Sequence, residues 1–260
     1  MTRKKPYAVW TKRHAAFVLL ALFLAAVLIV IAAAALPYAY ANATAAAQRR
    51  LPIYCTDRPG KVVSLTFDAA WGDEDTQQLI DILNKYEVNA TFFLVGDWVD
   101  KYPESVRALA ENGNEIMNHS STHSHFSQLS HSDIIADITA CNEKISELTG
   151  VTPTLFRCPY GEYDDHVINA VNSMGMTAVQ WDVDSLDWKG ISAAEIQKRV
   201  LSKVQPGSII LFHNAAENTP EALPGIIESL LADGYTIVPI SKILLSGEYY
   251  IDNTGRQCGK

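Results

Sequence analysis

Two histidines stand four residues apart in His119-Ser120-Ser121-Thr122-His123. If that segment turns helically, both rings lie on one face and share a metal. Neutral imidazole suits zinc, cobalt or nickel. The alternative is an ordinary pair of surface histidines, which is also the reading for His125 and His131. Val62-Val63-Ser64-Leu65-Thr66-Phe67-Asp68 is an apolar run closed by a carboxylate, either a cap or turn aspartate or a site group. Leu155-Phe156-Arg157 closes another run with an arginine, ahead of Pro159-Tyr160-Gly161. That arginine either holds a catalytic carboxylate ionised or makes a structural ion pair. Backbone N–H groups freed by the Pro-x-Gly turn are candidate oxyanion donors. Ser208-Ile209-Ile210-Leu211-Phe212-His213 ends in a histidine, a general-acid candidate with an ordinary pKa of about 6.5. Asp187 is placed to orient that imidazole, and Trp188 beside it is a pocket wall or a core residue.

Positioning these groups requires strands. From Lys61 onward, short β-branched runs alternate with helical patterns, the signature of βα units and a mostly parallel sheet. Strands are expected at 62–67, 90–95, 115–118, 154–156, 177–181, 208–212 and 236–239. Helices are expected at 75–86, 103–111, 132–149, 164–174, 193–203 and 223–232. Gly113, Gly150, Gly175 and Gly234 each fall just past a helix, where a left-handed residue ends it. Leaving successive strands, the chain presents Asp68, His119, Arg157, the Asp182–Asp187 segment and His213. Parallel strands bring their C-terminal ends to one edge, so these groups converge on one rim, as at the C-terminal face of a (β/α) barrel.

Composition fits a folded enzyme-sized domain. Of 260 residues, 48% are apolar and 19% charged, which excludes disordered, collagen-like and coiled-coil chains. Four cysteines are too few for a disulfide scaffold, and a net charge of -8 argues against a nucleic-acid partner. The charge is unevenly spread. Residues 1–48 hold Arg3, Lys4, Lys5, Lys12 and Arg13 and no acidic residue, whereas all 29 acidic residues lie beyond. Ala15–Leu36 runs without charge or proline for about 33 Å of helix, enough to cross a bilayer. With the basic cluster before it, the expected topology is a single-pass cell-membrane anchor with the remainder extracellular. Secretion after cleavage near Ala39-Tyr40-Ala41 is the alternative. The expected organisation is a cytoplasmic segment at 1–14, a transmembrane anchor at 15–36, a linker at 37–60 and a catalytic domain at 61–250.

Taken in order, Thr66-Phe67-Asp68, His119-Ser-x-x-His123, Arg157-x-Pro159-Tyr160-Gly161, Asp184-Ser-x-Asp187-Trp188 and Leu211-x-His213 resemble the five motifs of polysaccharide deacetylases. This is carbohydrate esterase family 4, the NodB-type homology domain, and the likeness spans about Lys61–Leu245. The Phe-Asp-x-x-Trp-Gly form of the first motif resembles the membrane-anchored, sporulation-associated branch of Gram-positive bacteria. The resemblance implies an α/β fold, a distorted (β/α)7-8 TIM-like barrel. It also implies metal-dependent N-deacetylation of N-acetylglucosamine polymers, either peptidoglycan or a chitin-like glycan. Carried over by position, Asp68 is the general base, paired with Arg157, and His213 is the general acid, oriented by Asp187. His119 and His123 hold a divalent metal, zinc first, with cobalt or nickel as alternatives. Tyr160 supplies an oxyanion N–H, and Trp188 and Leu211 wall the acetyl pocket.

Two positions depart from the pattern. The family's second aspartate, a metal ligand after the base, is Ala69 here, and Cys158 stands between the arginine and the proline. The first weakens the metal site and motivates an alternative, a glycan-binding module or weak pseudoenzyme. Asp68 itself, a water or Asp73 would have to substitute. The second sets a thiol near the pocket, redox-sensitive or buried and inert. Cys55 and Cys258 flank the barrel, and export would permit a bridge between them, with free thiols as the alternative.

Overall fold

The structure, a computed structural model, describes residues 12–46 and 49–260. The chain divides into two units, residues 1–49 and 50–260. In the first, α1 (Lys12–Ala46) is a single helix of 35 residues. Its stretch Phe17–Ala34 has a mean hydropathy of 3.2 and is long and apolar enough to cross a membrane. The helix continues past Pro37 into the expected linker, because Ala39, Ala41, Ala43, Ala45 and Ala46 are strong helix formers. Arg3, Lys4 and Lys5 lie outside the described residues.

The second unit is a curled parallel sheet wrapped by helices. Its strands are β2 (Val62–Ala69), β3 (Thr91–Leu94), β4 (Glu115–Asn118), β5 (Leu155–Phe156), β6 (Thr177–Ala178), β7 (Val183–Asp184), β8 (Ile209–His213) and β9 (Thr236–Ile237). The order is β6-β5-β4-β3-β2-β8-β7, with β9 pairing the start of β2. All these pairs are parallel. Ile53 bridges to Val179 beside β6 and Cys55 to Ser208 ahead of β8, so this segment fills the gap between the two arms of the curl. The result is the (β/α) half-barrel architecture expected from the strand–helix alternation.

Alternation along β2 explains the layers. Val63, Leu65 and Phe67 face the helices, and Phe67 stacks on Phe92 and Phe212 with centroids 4.8 and 5.5 Å apart. The intervening Ser64, Thr66 and Asp68 are buried on the opposite, interior side. Helices α2 (Thr76–Lys85), α4 (Pro103–Glu111), α5 (His131–Thr149), α6 (Asp165–Ser173), α7 (Ala193–Leu201) and α8 (Thr219–Ala232) cover the outside, with a short α3 (Gly96–Lys101) after β3 and α9 (Ile240–Ile243) after β9. Their buried positions follow helical spacing, as in Ile134, Ile138, Cys141 and Ile145 of α5. Helix α5 starts with Ser130 accepting from Asp133 N–H and ends with Gly150 at φ 72°, donating to the Ser146 carbonyl.

A small second sheet, not expected from the sequence, joins the two ends of this unit's chain. In it β1 (Cys55–Thr56) runs parallel to β11 (Arg256–Gly259), and β10 (Tyr249–Ile251) pairs with β11 antiparallel. These strands are two to four residues long and carry no clear alternation, so no periodic signal marks them. Of the expected strand over 177–181 only Thr177–Ala178 forms β6, and β7 (Val183–Asp184) follows beyond its end. All four cysteines are free and buried, Cys55 and Cys258 included.

Candidate active site

The C-terminal ends of β2 and β8 are neighbours, with Asp68 opposite His213 in register. Asp68 is only 4% exposed although it closes a strand at the rim. Arg157, fully buried after β5, donates from one guanidinium nitrogen to Asp68 Oδ1 at 2.7 Å and Thr66 Oγ1 at 2.9 Å. Its other terminal nitrogen donates to the Gln180 carbonyl at 3.1 Å, and its guanidinium carbon lies 4.1 Å from the Phe93 ring centroid. Burial alone would raise the Asp68 carboxyl. The Arg157 charge, helped by His119, His213 and the Arg157 hydrogen bond, overrides it and holds Asp68 below the usual carboxylate range.

His119 and His123 come together by a different route from the one expected. The segment is not helical: Ser120 and His123 take left-handed φ of 73° and 56°, and the His123 N–H donates to Ser120 Oγ at 2.8 Å. The loop still brings the two rings to 5.1 Å between centroids. His119 Nδ1–H donates to the Arg157 carbonyl at 2.8 Å, leaving Nε2 at 3.5 Å from Asp68 Oδ2. Burial keeps both imidazoles neutral, with His119 lowered and His123 brought down to about 4, the latter also through His119. A neutral ring whose second nitrogen is anchored to a carbonyl is the state of a metal-ligating histidine. His119 is in that state, and His123, also neutral and with its ring 5.1 Å away, fits as the second donor to a divalent ion. Among the described residues, no three His, Cys, Asp or Glu side chains are grouped as a complete ligand set. Ala69 is 1% exposed, packs in the core and offers no donor. Asp73 accepts from Ser105 Oγ at 2.7 Å and does not line the cavity.

Across the cavity, His213 Nδ1–H donates to Asp187 Oδ1 at 2.8 Å. Asp187 is saturated: it also accepts from His213 N–H at 2.8 Å, Trp188 N–H at 2.9 Å and Thr219 Oγ1 at 2.8 Å. Burial would lower the His213 pKa, but the hydrogen bond and charge of Asp187, with Asp68 and Asp184, raise it. Tyr160 sits in a left-handed turn at φ 59°. The N–H groups of Gly161 and Glu162 are taken by Cys158 and Pro159 carbonyls at 3.1 Å, whereas no acceptor among the described residues engages the Tyr160 N–H.

These groups enclose a cavity of about 400 Å³, which Trp188 and Leu211 also line. Four lining residues were not singled out as site residues from sequence: Trp71, Gly161, Trp181 and Asp184. The motifs held a signal for three of them, since Trp71, Gly161 and Asp184 lie within those stretches. Trp71 ends the Phe-Asp-x-x-Trp stretch, and a Cβ on Gly161 would stand 2.9 Å from the Trp181 ring. Cys158, by contrast, is buried among Phe126, Phe156 and Val167, away from the cavity, and burial pushes its thiol up. Of the two readings of that thiol, the buried and inert one fits.

A parallel (β/α) barrel with a carboxylate, two paired imidazoles and a carboxylate-anchored histidine on its C-terminal rim defines a class of proteins. Comparison with known proteins gives that class its family. Residues 56–179 match the family model "Polysaccharide deacetylase". A peptidoglycan-N-acetylglucosamine deacetylase of Bacillus cereus is 34% identical over 182 residues, covering 68% of this chain and 66% of its own. The solved peptidoglycan deacetylase PdaC of Bacillus subtilis is 35% identical, with a TM-score of 0.66, covering 72% of this chain and 92% of that one. A carbohydrate esterase family 4 pseudoenzyme from Bacillus anthracis is 31% identical with a TM-score of 0.72, covering 80% and 73%. A mutant of that pseudoenzyme has restored enzymatic activity. The chain belongs to the polysaccharide deacetylase family. It spans 60%, 38% and 66% of the lengths of three curated Bacillus relatives that it matches.

Proposed function

We propose that this domain hydrolyses N-acetyl groups of cell-wall glycan, peptidoglycan foremost, at the Asp68–His213 rim. The observation that carries this reading is the pairing of two opposed proton-transfer groups across one cavity, each fixed by its own buried partner. Asp68, kept ionised by Arg157, takes the proton of the attacking water. His213, raised by Asp187, gives a proton to the departing amine. The Tyr160 N–H points the turn's free donor at the developing oxyanion. Trp188 and Leu211 hold the acetyl methyl and exclude water.

His119 and His123 are the residues that would hold a divalent ion, zinc first, with cobalt or nickel as alternatives, and Asp68 Oδ2 is the nearest further donor. When bound, such an ion supplies Lewis acidity, easing water deprotonation and polarising the acetyl carbonyl. The names of the relatives from Bacillus cereus and Bacillus subtilis support peptidoglycan as substrate. The apolar helix α1 supports a single-pass membrane anchor with this domain outside, the alternative being secretion after cleavage.

The test is acetate release from N-acetylglucosamine oligomers and from peptidoglycan, abolished by a chelator and restored by zinc. Ala69 and the likeness to the Bacillus anthracis pseudoenzyme favour one second reading, a glycan-binding module. Glycan binding with no acetate release under any metal would establish that reading instead.

A further inference from the structure

His119 and His123 stand at the two ends of a loop that no helix or strand supports. His119 follows directly on β4 and is anchored through Nδ1–H to the Arg157 carbonyl. His123 is placed by the backbone between them, which takes left-handed φ of 73° at Ser120 and 56° at His123. Non-glycine residues persist in that conformation only where their surroundings fix them.

Part of the fixing comes from the strand end and the neighbouring turn. Ser120 N–H donates to Asn118 Oδ1 at 2.7 Å and His123 N–H to Ser120 Oγ at 2.8 Å. The Ser120 and Ser121 carbonyls accept from Gly96 N–H and Asp97 N–H, each at 2.9 Å. The middle of the loop is gripped by one carboxylate from α5. Asp137 accepts from Ser121 N–H through Oδ1 at 2.6 Å and from Thr122 Oγ1 through Oδ2 at 3.2 Å. Both gripped residues lie between the histidines, and Thr122 immediately precedes His123. A charged acceptor makes such bonds stronger than a neutral one would.

Asp137 is a fixed point because its helix is one. Ile134, Ile138, Cys141 and Ile145 are buried along α5. Asn118, the last residue of β4, donates from Nδ2 to the Ile138 carbonyl at 2.9 Å and to Asn142 Oδ1 at 2.8 Å. Helix, strand end and loop therefore form a closed frame. Strand β4 places His119, α5 is tied to β4, and Asp137 carries that reference across to the segment leading into His123. Asp137 is not among the walls of the cavity, so it acts through the loop.

We propose that Asp137 is a positioning residue for the metal: by holding Ser121 and Thr122 it sets His123 against His119 and thereby sets the affinity for a divalent ion. This rests on the reading of His119 and His123 as ligands.

The experiment is calorimetric titration of zinc into the full-length protein stripped of metal, for wild type, Asp137→Ala, Asp137→Asn and Asp133→Ala. Asp137→Ala is expected to bind zinc about 10-fold or more weakly, the usual worth of a group that orients a ligand. Asp137→Asn should stay within about 3-fold of wild type, because its oxygen still accepts from Ser121 N–H and its nitrogen can donate to Thr122 Oγ1. An equal loss in both variants would assign the effect to charge and overturn the positioning role. Asp133→Ala removes a carboxylate from the first turn of the same helix, where it accepts from Ser130 Oγ, and should leave zinc affinity unchanged. A loss there as large as in Asp137→Ala would make helix stability the cause and overturn the proposal. Thr122→Val breaks the grip from the loop side and keeps the test decisive should Asp137→Ala not fold. A loss of about 3-fold or more in Thr122→Val upholds the proposal, and an unchanged affinity overturns it. Wild type that binds no zinc would remove the ligand pair and the proposal together, whereas full affinity in folded Asp137→Ala overturns the role of Asp137 alone.

Discussion

Replacing Asp187 by asparagine isolates what its charge does for His213. Four donors converge on the two carboxylate oxygens: His213 Nδ1 and Trp188 N–H on Oδ1, His213 N–H and Thr219 Oγ1 on Oδ2. The site is buried, so water offers no substitute. An amide presents only one acceptor oxygen. If its nitrogen faces the Oδ1 side, the imidazole can switch tautomer but Trp188 N–H is orphaned. If it faces the Oδ2 side, Thr219 can rotate but His213 N–H is orphaned. Either way one buried backbone donor loses its partner, a cost of about 1–3 kcal/mol. The charge that raises His213 is lost as well. Less imidazolium remains at neutral pH, so turnover should fall by about 100-fold or more, the worth of a positioned acid. The basic limb of the kcat/KM profile should move to lower pH. The stability sign follows from the same shift. A histidine raised on folding stabilises fully below its unfolded value near 6.5, and that contribution fades as pH rises through the folded value. Unfolding of wild type against Asp187→Asn across neutral pH should show this slope in wild type alone. An unmoved basic limb, or turnover within about 10-fold of wild type, would refute the assignment.

Asp68→Asn should cut turnover at least about 100-fold. It should also cost about 3–5 kcal/mol in chemical denaturation, because the buried Arg157 loses its counter-charge. Because Asp68 is lowered on folding, the stability it contributes is present above its unfolded value near 3.8 and is lost as pH falls; the variant should lose that acid dependence. His213→Ala should match the loss of turnover with a smaller loss of stability, since the buried charge pair at Arg157 stays intact. Ala69→Asp should tighten zinc binding by roughly tenfold or more in calorimetry, while the carboxylate set at a buried position lowers Tm. Asp73→Asn should leave zinc binding nearly unchanged, as Asp73 is engaged by Ser105, and abolished binding would overturn the ligand set. Thiol labelling followed by intact-mass measurement should find four reactive thiols after denaturation. Few should react in the native protein, where burial raises Cys55 to about 11 and Cys141 to about 12.

What the sequence revealed depended on periodicity and on ends. The strand at Val62, the helix from His131 to Thr149 and its closing Gly150 were legible because burial imposes spacing and caps impose residue types. Asp68, Arg157 and His213 were legible because each closes an apolar run. The burial of Asp68 and Arg157 was not, since strand ends are normally wet: only the three-dimensional placement of Arg157 makes Asp68 an interior group. The His119–His123 pair was found by its spacing for the wrong local reason. A loop with two left-handed residues, which no periodicity announces, brings the rings together. Trp71 stood in the first motif, but an exposed tryptophan there carries no pattern that says what it does. Its meaning comes from Asn214 and Trp98, distant in sequence, which hold its turn in place.

If this rim removes acetyl groups from glycan, the glycan itself records it. Purified peptidoglycan should be incubated with the zinc-loaded protein, digested to muropeptides and analysed by mass spectrometry, with Asp68→Asn as the control. Wild type is expected to yield muropeptides lacking one acetyl group on an amino sugar, with matching free acetate, and Asp68→Asn essentially none. Fully acetylated muropeptides from the folded, zinc-loaded wild type, or equal deacetylation by Asp68→Asn, would contradict the account.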